Sequence, residues 1–117
     1  MARVLALTVV MLLTLTGCLR GSRAPELAAL LKVAPQLMQA APASGPLARD
    51  QWPAELKAFN PQRVYATADG LYIVTSTFFV TEKGLFLPRQ PTFSAAPGQD
   101  PEFRQIVDGL YSYEIKG

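Results

Sequence analysis

Residues 63 to 89 read RVYATADGLYIVTSTFFVTEKGLFLPR, and no other stretch limits the fold of this chain as tightly. Aromatic and β-branched residues alternate through it with the period of two that belongs to strands. Asp69-Gly70 is a preferred pair for a two-residue hairpin turn, because both central positions of a type I′ turn take positive φ. The register that follows sets Ala68 opposite Leu71, Thr67 opposite Tyr72, Ala66 opposite Ile73 and Tyr65 opposite Val74. One face then carries Val64, Ala66, Leu71 and Ile73, and the other Tyr65, Thr67, Tyr72 and Val74. Neither face is clearly polar. Glu82-Lys83-Gly84 suits a three-residue loop with glycine in the left-handed position, returning the chain through Leu85, Phe86 and Leu87. Pro88 ends that strand or marks an edge.

A second hairpin is expected around Asp108-Gly109, with Tyr111, Tyr113 and Ile115 alternating against Ser112 and Glu114. The shared DGLY at residues 69–72 and 108–111 is good turn-and-strand chemistry in its own right and does not prove a duplication. Between the hairpins, QPTFSAAPGQDP (residues 90–101) reads as a loop, and Asp100-Pro101-Glu102 as the start of a brief helical turn. The class expected is α+β: a small antiparallel sheet of four or five strands with an N-terminal helix packed on one face. Two partly apolar faces in so short a chain imply that helices or another molecule cover the second.

Upstream, Leu27, Leu30, Leu31, Ala34, Leu37, Met38 and Ala41 recur at steps of three and four, which places them on one helical face. Pro25 suits a first-turn position. Pro35 would cost about 3 kcal/mol inside a continuous helix, so a kinked helix or two short ones is expected. The stripe has three open fates: packing on the sheet, resting on a membrane or partner helix, or disorder. Basic residues do not line its polar face, which disfavours a dedicated membrane-surface helix and puts sheet packing first. APASGP (41–46) reads as a joint, and DQWPAELKAFNPQ (50–62) as one or two helical turns stopped by Asn60-Pro61. Trp52 reads as a plug over the core before it reads as a ligand platform.

The N-terminus is of another kind. Arg3 precedes VLALTVVMLLTL (4–15), about a dozen apolar or weakly polar residues, which suits a secretory signal and falls short of the roughly 20 needed to span a bilayer. Leu15-Thr16-Gly17-Cys18 resembles the lipobox of bacterial lipoproteins, with Leu15, Thr16 and Gly17 as recognition residues for the signal peptidase and Cys18 as the lipidated one. The resemblance implies a diacylglyceryl thioether on Cys18, cleavage before it, and in many members acylation of the new amino group. Leu19 after the cysteine, where Asp would favour retention at the inner membrane, points by the sorting rule of enteric bacteria to a periplasm-facing place on the outer membrane. Two or three acyl chains, at about 0.8 kcal/mol per buried methylene, anchor durably where one is marginal. The expected organisation is a cleaved signal (1–17), a lipidated tether with the amphipathic kinked helix (18–46) and a small α+β domain (47–117).

Several function classes are excluded or weakened. Removing the signal takes Arg3 and leaves ten basic residues against nine acidic, scattered, so nucleic acid is not an expected partner. With no histidine and one cysteine, Ser-His-Asp and Cys-His catalysis, an intrachain disulfide and a thiolate metal cluster cannot be built. No metal or cofactor is implied. An enzyme would need paired carboxylates, with Glu55 and Glu82 the least committed to turns, and is not the expected reading. The expected role is a non-catalytic interaction or structural one in the cell envelope, with Trp52, Tyr65, Tyr72, Tyr111 and Tyr113 as the interaction surface; strand tyrosines are also ordinary packing residues. The alternative is glycan or small-molecule binding on the rings of Trp52, Tyr65 and Tyr72.

Overall fold

A computed structural model of the chain describes residues 24 to 117 apart from Pro97. The signal, the lipobox and Cys18 lie outside the described residues. Helix α1 (Ala24–Ala40) is followed by a two-residue strand β1 (Gly45–Pro46), a 3₁₀ turn (Arg49–Gln51) and a single-turn helix α2 (Ala54–Lys57). Five strands complete the chain: β2 (Arg63–Ala66), β3 (Gly70–Phe78), β4 (Thr81–Pro88), β5 (Glu102–Val107) and β6 (Leu110–Ile115). They form one antiparallel sheet in the order β1-β2-β3-β4-β6-β5. The α+β class holds, with six strands where four or five were expected. The additional strand is Gly45–Pro46, inside the stretch read as a joint, which pairs with Tyr65 and Ala66.

Each face of the sheet has its own apolar layer. Val64, Ala66, Leu71, Ile73, Leu87 and Leu110 pack against Leu30 and Leu37 of α1 and against Leu47, Trp52, Leu56 and Phe59. Helix α1 runs unbroken through Pro35, which stands on its exposed side, while Leu30 and Leu37 are fully buried. Burying a leucine is worth about 1.5–3 kcal/mol, so the packed stripe offsets the cost of the proline. On the opposite face Tyr72, Phe86, Tyr111 and Tyr113 form an aromatic layer, covered in part by Phe93 and Ala95 from the 90–101 loop and by Phe103. The second face is thus covered in part by the chain's own loop and aromatic rings, not by a second helix. Among the described residues no helix is long and apolar enough to cross a membrane.

Three local expectations are corrected. The β2–β3 register is displaced by two residues: Ala66 faces Leu71 and Tyr65 faces Tyr72. Residues 67–70 make the connection, with the Thr67 N–H donating to the Gly70 carbonyl at 2.8 Å and the Asp69 N–H to the Thr67 hydroxyl at 3.2 Å. Gly70 is there for space and not for a positive φ, since a Cβ would strike the Leu87 carbonyl, the Phe86 ring and Pro88. A slip of two keeps each side chain on its face, so both face assignments survive. The β3–β4 turn falls at Phe79-Val80, and Glu82-Lys83-Gly84 lies inside β4. Asp100-Pro101 is a cis peptide leading straight into β5, with no helical turn. The Asp108-Gly109 turn and the strand end at Pro88 are as expected, Gly109 having φ 82°.

Gly84 sits where the β3–β4 pairing is irregular. Thr75 is the extra residue of a bulge, with Val74 opposite Gly84 and Ser76 opposite Lys83. A Cβ on Gly84 would collide with the Ile73 carbonyl and approach the Thr75 nitrogen, both backbone groups that cannot swing aside. Gly84→Ala should therefore destabilise the protein by about 1–3 kcal/mol, as overpacking does. Thermal unfolding followed by circular dichroism checks this, and an unchanged midpoint would contradict the bulge packing.

Candidate functional site

The described residues concentrate their chemistry in two places, one on each face of the sheet. On the aromatic face, alternation along β4 brings Glu82, Gly84 and Phe86 to one side. Gly84 pairs with Tyr113 and Phe86 with both Tyr72 and Tyr111. Tyr72 is central to the rings: 4.9 Å from Tyr65 and stacked on it, 4.8 Å from Phe86, and 4.9 Å edge-on to Tyr113. This packing orients the two outer hydroxyls toward one carboxylate. Glu82 Oε2 accepts hydrogen bonds from the Tyr65 hydroxyl at 2.6 Å and the Tyr113 hydroxyl at 2.8 Å, and Oε1 accepts from Arg63 Nη2 at 2.5 Å. Glu82 is 8% exposed and is the buried charged residue of the described core.

Burial alone would raise the Glu82 pKa. The hydrogen bonds from Tyr65, Arg63 and Tyr113, with the Arg63 charge, outweigh it and hold the carboxyl below its ordinary value. The tyrosines shift the other way: burial first, then the bond to Glu82, pushes both the Tyr65 and the Tyr113 hydroxyl well above their usual range. Near neutral pH the cluster is thus an ionised acid held by donors that keep their protons. Its three bonded partners leave it poorly suited to giving or taking a proton, and well suited to joining β2, β4 and β6.

On the helix-side face, a groove of about 880 Å³ opens where the helices do not cover the sheet. Leu27, Phe59 and Leu85 give it an apolar lining, and Lys83, Arg104, Glu102 and Glu114 a charged one. Lys83 lies 3.7 Å from Glu114 and Arg104 3.4 Å from Glu102, in solvent-accessible ion pairs worth at most about 1 kcal/mol each. Strand β5 borders this region as a sheet edge, with Arg104 to Val107 all exposed.

The residues singled out from sequence are placed as follows. Trp52 is 7% exposed, donates its indole N–H to the Leu47 carbonyl at 3.0 Å, and carries the Arg49 guanidinium over its ring at 4.8 Å. Tyr72, Tyr111 and Tyr113 are buried and Tyr65 is half-buried, so the five rings face their own chain and do not make an exposed aromatic surface. Tyr111 donates to the Phe93 carbonyl at 3.3 Å, which ties the 90–101 loop to the layer. Glu55 and Glu82 do not meet: α2 packs on the helix-side core, and Glu82 belongs to the opposite face. Among the described residues no group of three or more His, Cys, Asp or Glu is placed to hold a metal. Glu82 lies inside β4 and not in the loop its neighbours Lys83-Gly84 suggest, and Tyr65, Glu82 and Tyr113 align on one face only once the register of three strands is known. Comparison with protein-family models, curated proteins and solved structures finds no match.

Glu82→Gln should cost about 1–3 kcal/mol, because it removes the charge that Arg63, the half-buried Tyr65 and the buried Tyr113 are arranged around. A carboxyl with a lowered folded pKa stabilises above its unfolded value, 4.5, and loses that contribution as pH falls through the folded one. The stability gap between wild type and Glu82→Gln should therefore be full at pH 7 and shrink below about pH 4.5. Denaturant unfolding across that range measures it, and a gap constant from pH 7 to pH 3 would contradict the assignment. The tyrosines add a second limb: their raised values leave stability intact below pH 10 and erode it as pH rises beyond, where the unfolded chain ionises first.

Proposed function

We propose that this chain is a lipid-anchored protein of a bacterial envelope, held through acyl groups on Cys18, facing the periplasm on the outer membrane, and acting by contact and not by catalysis. Leu15-Thr16-Gly17-Cys18 supports the anchor. The observation that carries the contact role is the groove beside the β5 edge. It joins apolar area, two pairs of opposite charges and unpaired strand backbone in one place, the combination that an extended segment of a partner protein can use by adding to the sheet. The Glu82 cluster serves this role by keeping β4 and β6, which floor the groove, in fixed register.

Both halves of the proposal are open to test in cells. Labelled palmitate should enter the wild type and not Cys18→Ala, and equal labelling of the two would refute the anchor. A photo-crosslinking residue at Arg104 should trap one reproducible envelope protein, while the same residue at Ala68, on the β2–β3 turn, should not. Absence of any reproducible adduct at Arg104, or the same adducts at both positions, would overturn the contact role.

A further inference from the structure

The β3–β4 hairpin ends in an exposed apolar apex, with Gly117 beside Val80. Phe78, Phe79 and Val80 are 71%, 91% and 72% exposed, yet the two phenyl rings pack on each other with centroids 4.5 Å apart. Phe79 has φ 54°, a left-handed conformation in which an aromatic residue is strained and glycine or asparagine would be at ease. Core packing therefore does not account for these side chains. Thr75, Ser76, Thr77 and Thr81 flank them in sequence, the Thr75 hydroxyl donating to the Lys83 carbonyl and the Thr77 hydroxyl to Gln62 Oε1. The one acid between residues 74 and 83 is Glu82, which is turned inward onto Tyr65, Tyr113 and Arg63 and so presents no free negative charge at the apex.

We infer that this apex is a second membrane contact, a convex aromatic wedge that enters the lipid interface of the bilayer to which Cys18 is anchored; the inference rests on the anchor proposed above. The length of the tether favours lipid over other occupants. Six residue steps separate Cys18 from Ala24, the first residue of α1, and an extended chain covers at most about 3.3–3.6 Å per step. The start of the helix is thereby held within about 20 Å of the bilayer. Leu27, in the first turn of α1, and Thr75, three residues before the apex, line the same groove, so the hairpin borders the region of the domain where the tether arrives. A projecting pair of phenyl rings backed by serine and threonine residues suits that boundary: rings in the acyl region, the polar residues among the headgroups.

The test uses the full lipidated chain in phosphatidylethanolamine and phosphatidylglycerol vesicles whose acyl chains carry bromine, a contact quencher of indole emission. Phe79→Trp and, as a second reporter should that turn fail to form, Val80→Trp are compared with Val107→Trp, which is exposed beside the β5–β6 turn. The unsubstituted protein supplies the background from buried Trp52. Quenching and a blue shift at 79 or 80, with neither at 107, is the expected result. Protein that floats with the vesicles while all three reporters stay unquenched overturns the wedge and leaves the anchor standing. A blue shift at 79 or 80 without bromine quenching assigns the apex to a protein surface, a second copy included, and also overturns it. Protein that does not float overturns the anchor and the wedge together.

Discussion

A carboxylate withdrawn from water between two tyrosines and an arginine is the interaction on which this fold most depends. Glu82 reaches Tyr65 and Arg63 on β2 and Tyr113 on β6, so one side chain of β4 spans the middle of the sheet. The donors are not interchangeable in effect. Arg63, with its side chain 62% exposed, supplies charge from the rim, whereas the two hydroxyls satisfy the oxygen lying deeper in the aromatic layer. Removing any one partner would leave a buried charge short of a hydrogen bond, which costs more than the bond itself contributes. The cluster therefore specifies register: a slip of one residue in β4 would turn Glu82 to the opposite face.

The aromatic layer and the helix-side layer divide the remaining work. Leucines, a tryptophan and α1 close one face, and a loop pinned by Phe93 and Tyr111 closes most of the other. With both faces of so small a domain largely covered, the groove beside β5, the β5 edge itself and the Phe78-Phe79-Val80 apex are three of the places left for contact. In the proposals made above the first two serve another polypeptide and the third a lipid surface.

What the sequence made legible was the alternation and not the turns. The membership of each sheet face was readable because a side chain's side depends on parity, which a two-residue error in the Asp69-Gly70 register does not disturb. The turns were misplaced because local preference was overruled by packing: Gly70 and Gly84 are required by close backbone approach to β4 and β3, contacts that exist only in the assembled sheet. The real β3–β4 turn was hidden because Phe79-Val80 carries strand residues where turn chemistry was sought, and Phe79 occupies the position at a conformational cost. Pro35 stands inside one helix and not between two short ones, since the leucines of a tertiary interface outweigh a local breaker. Trp52 was read correctly as a plug over the core. The Glu82 cluster was not legible at all, because Glu82 and the partners that bond it lie up to 31 positions apart in sequence.

The most direct measurement is the titration of the Glu82 side-chain carboxyl itself, followed by carbon-13 NMR with Glu82→Gln used to assign the resonance. A midpoint below 4.5 is expected, because three hydrogen bonds and the guanidinium together favour the ionised form over the pull of burial. A midpoint at or above 4.5 would mean that burial dominates, that the carboxyl is not held by its partners, and that the sheet is kept in register by something else.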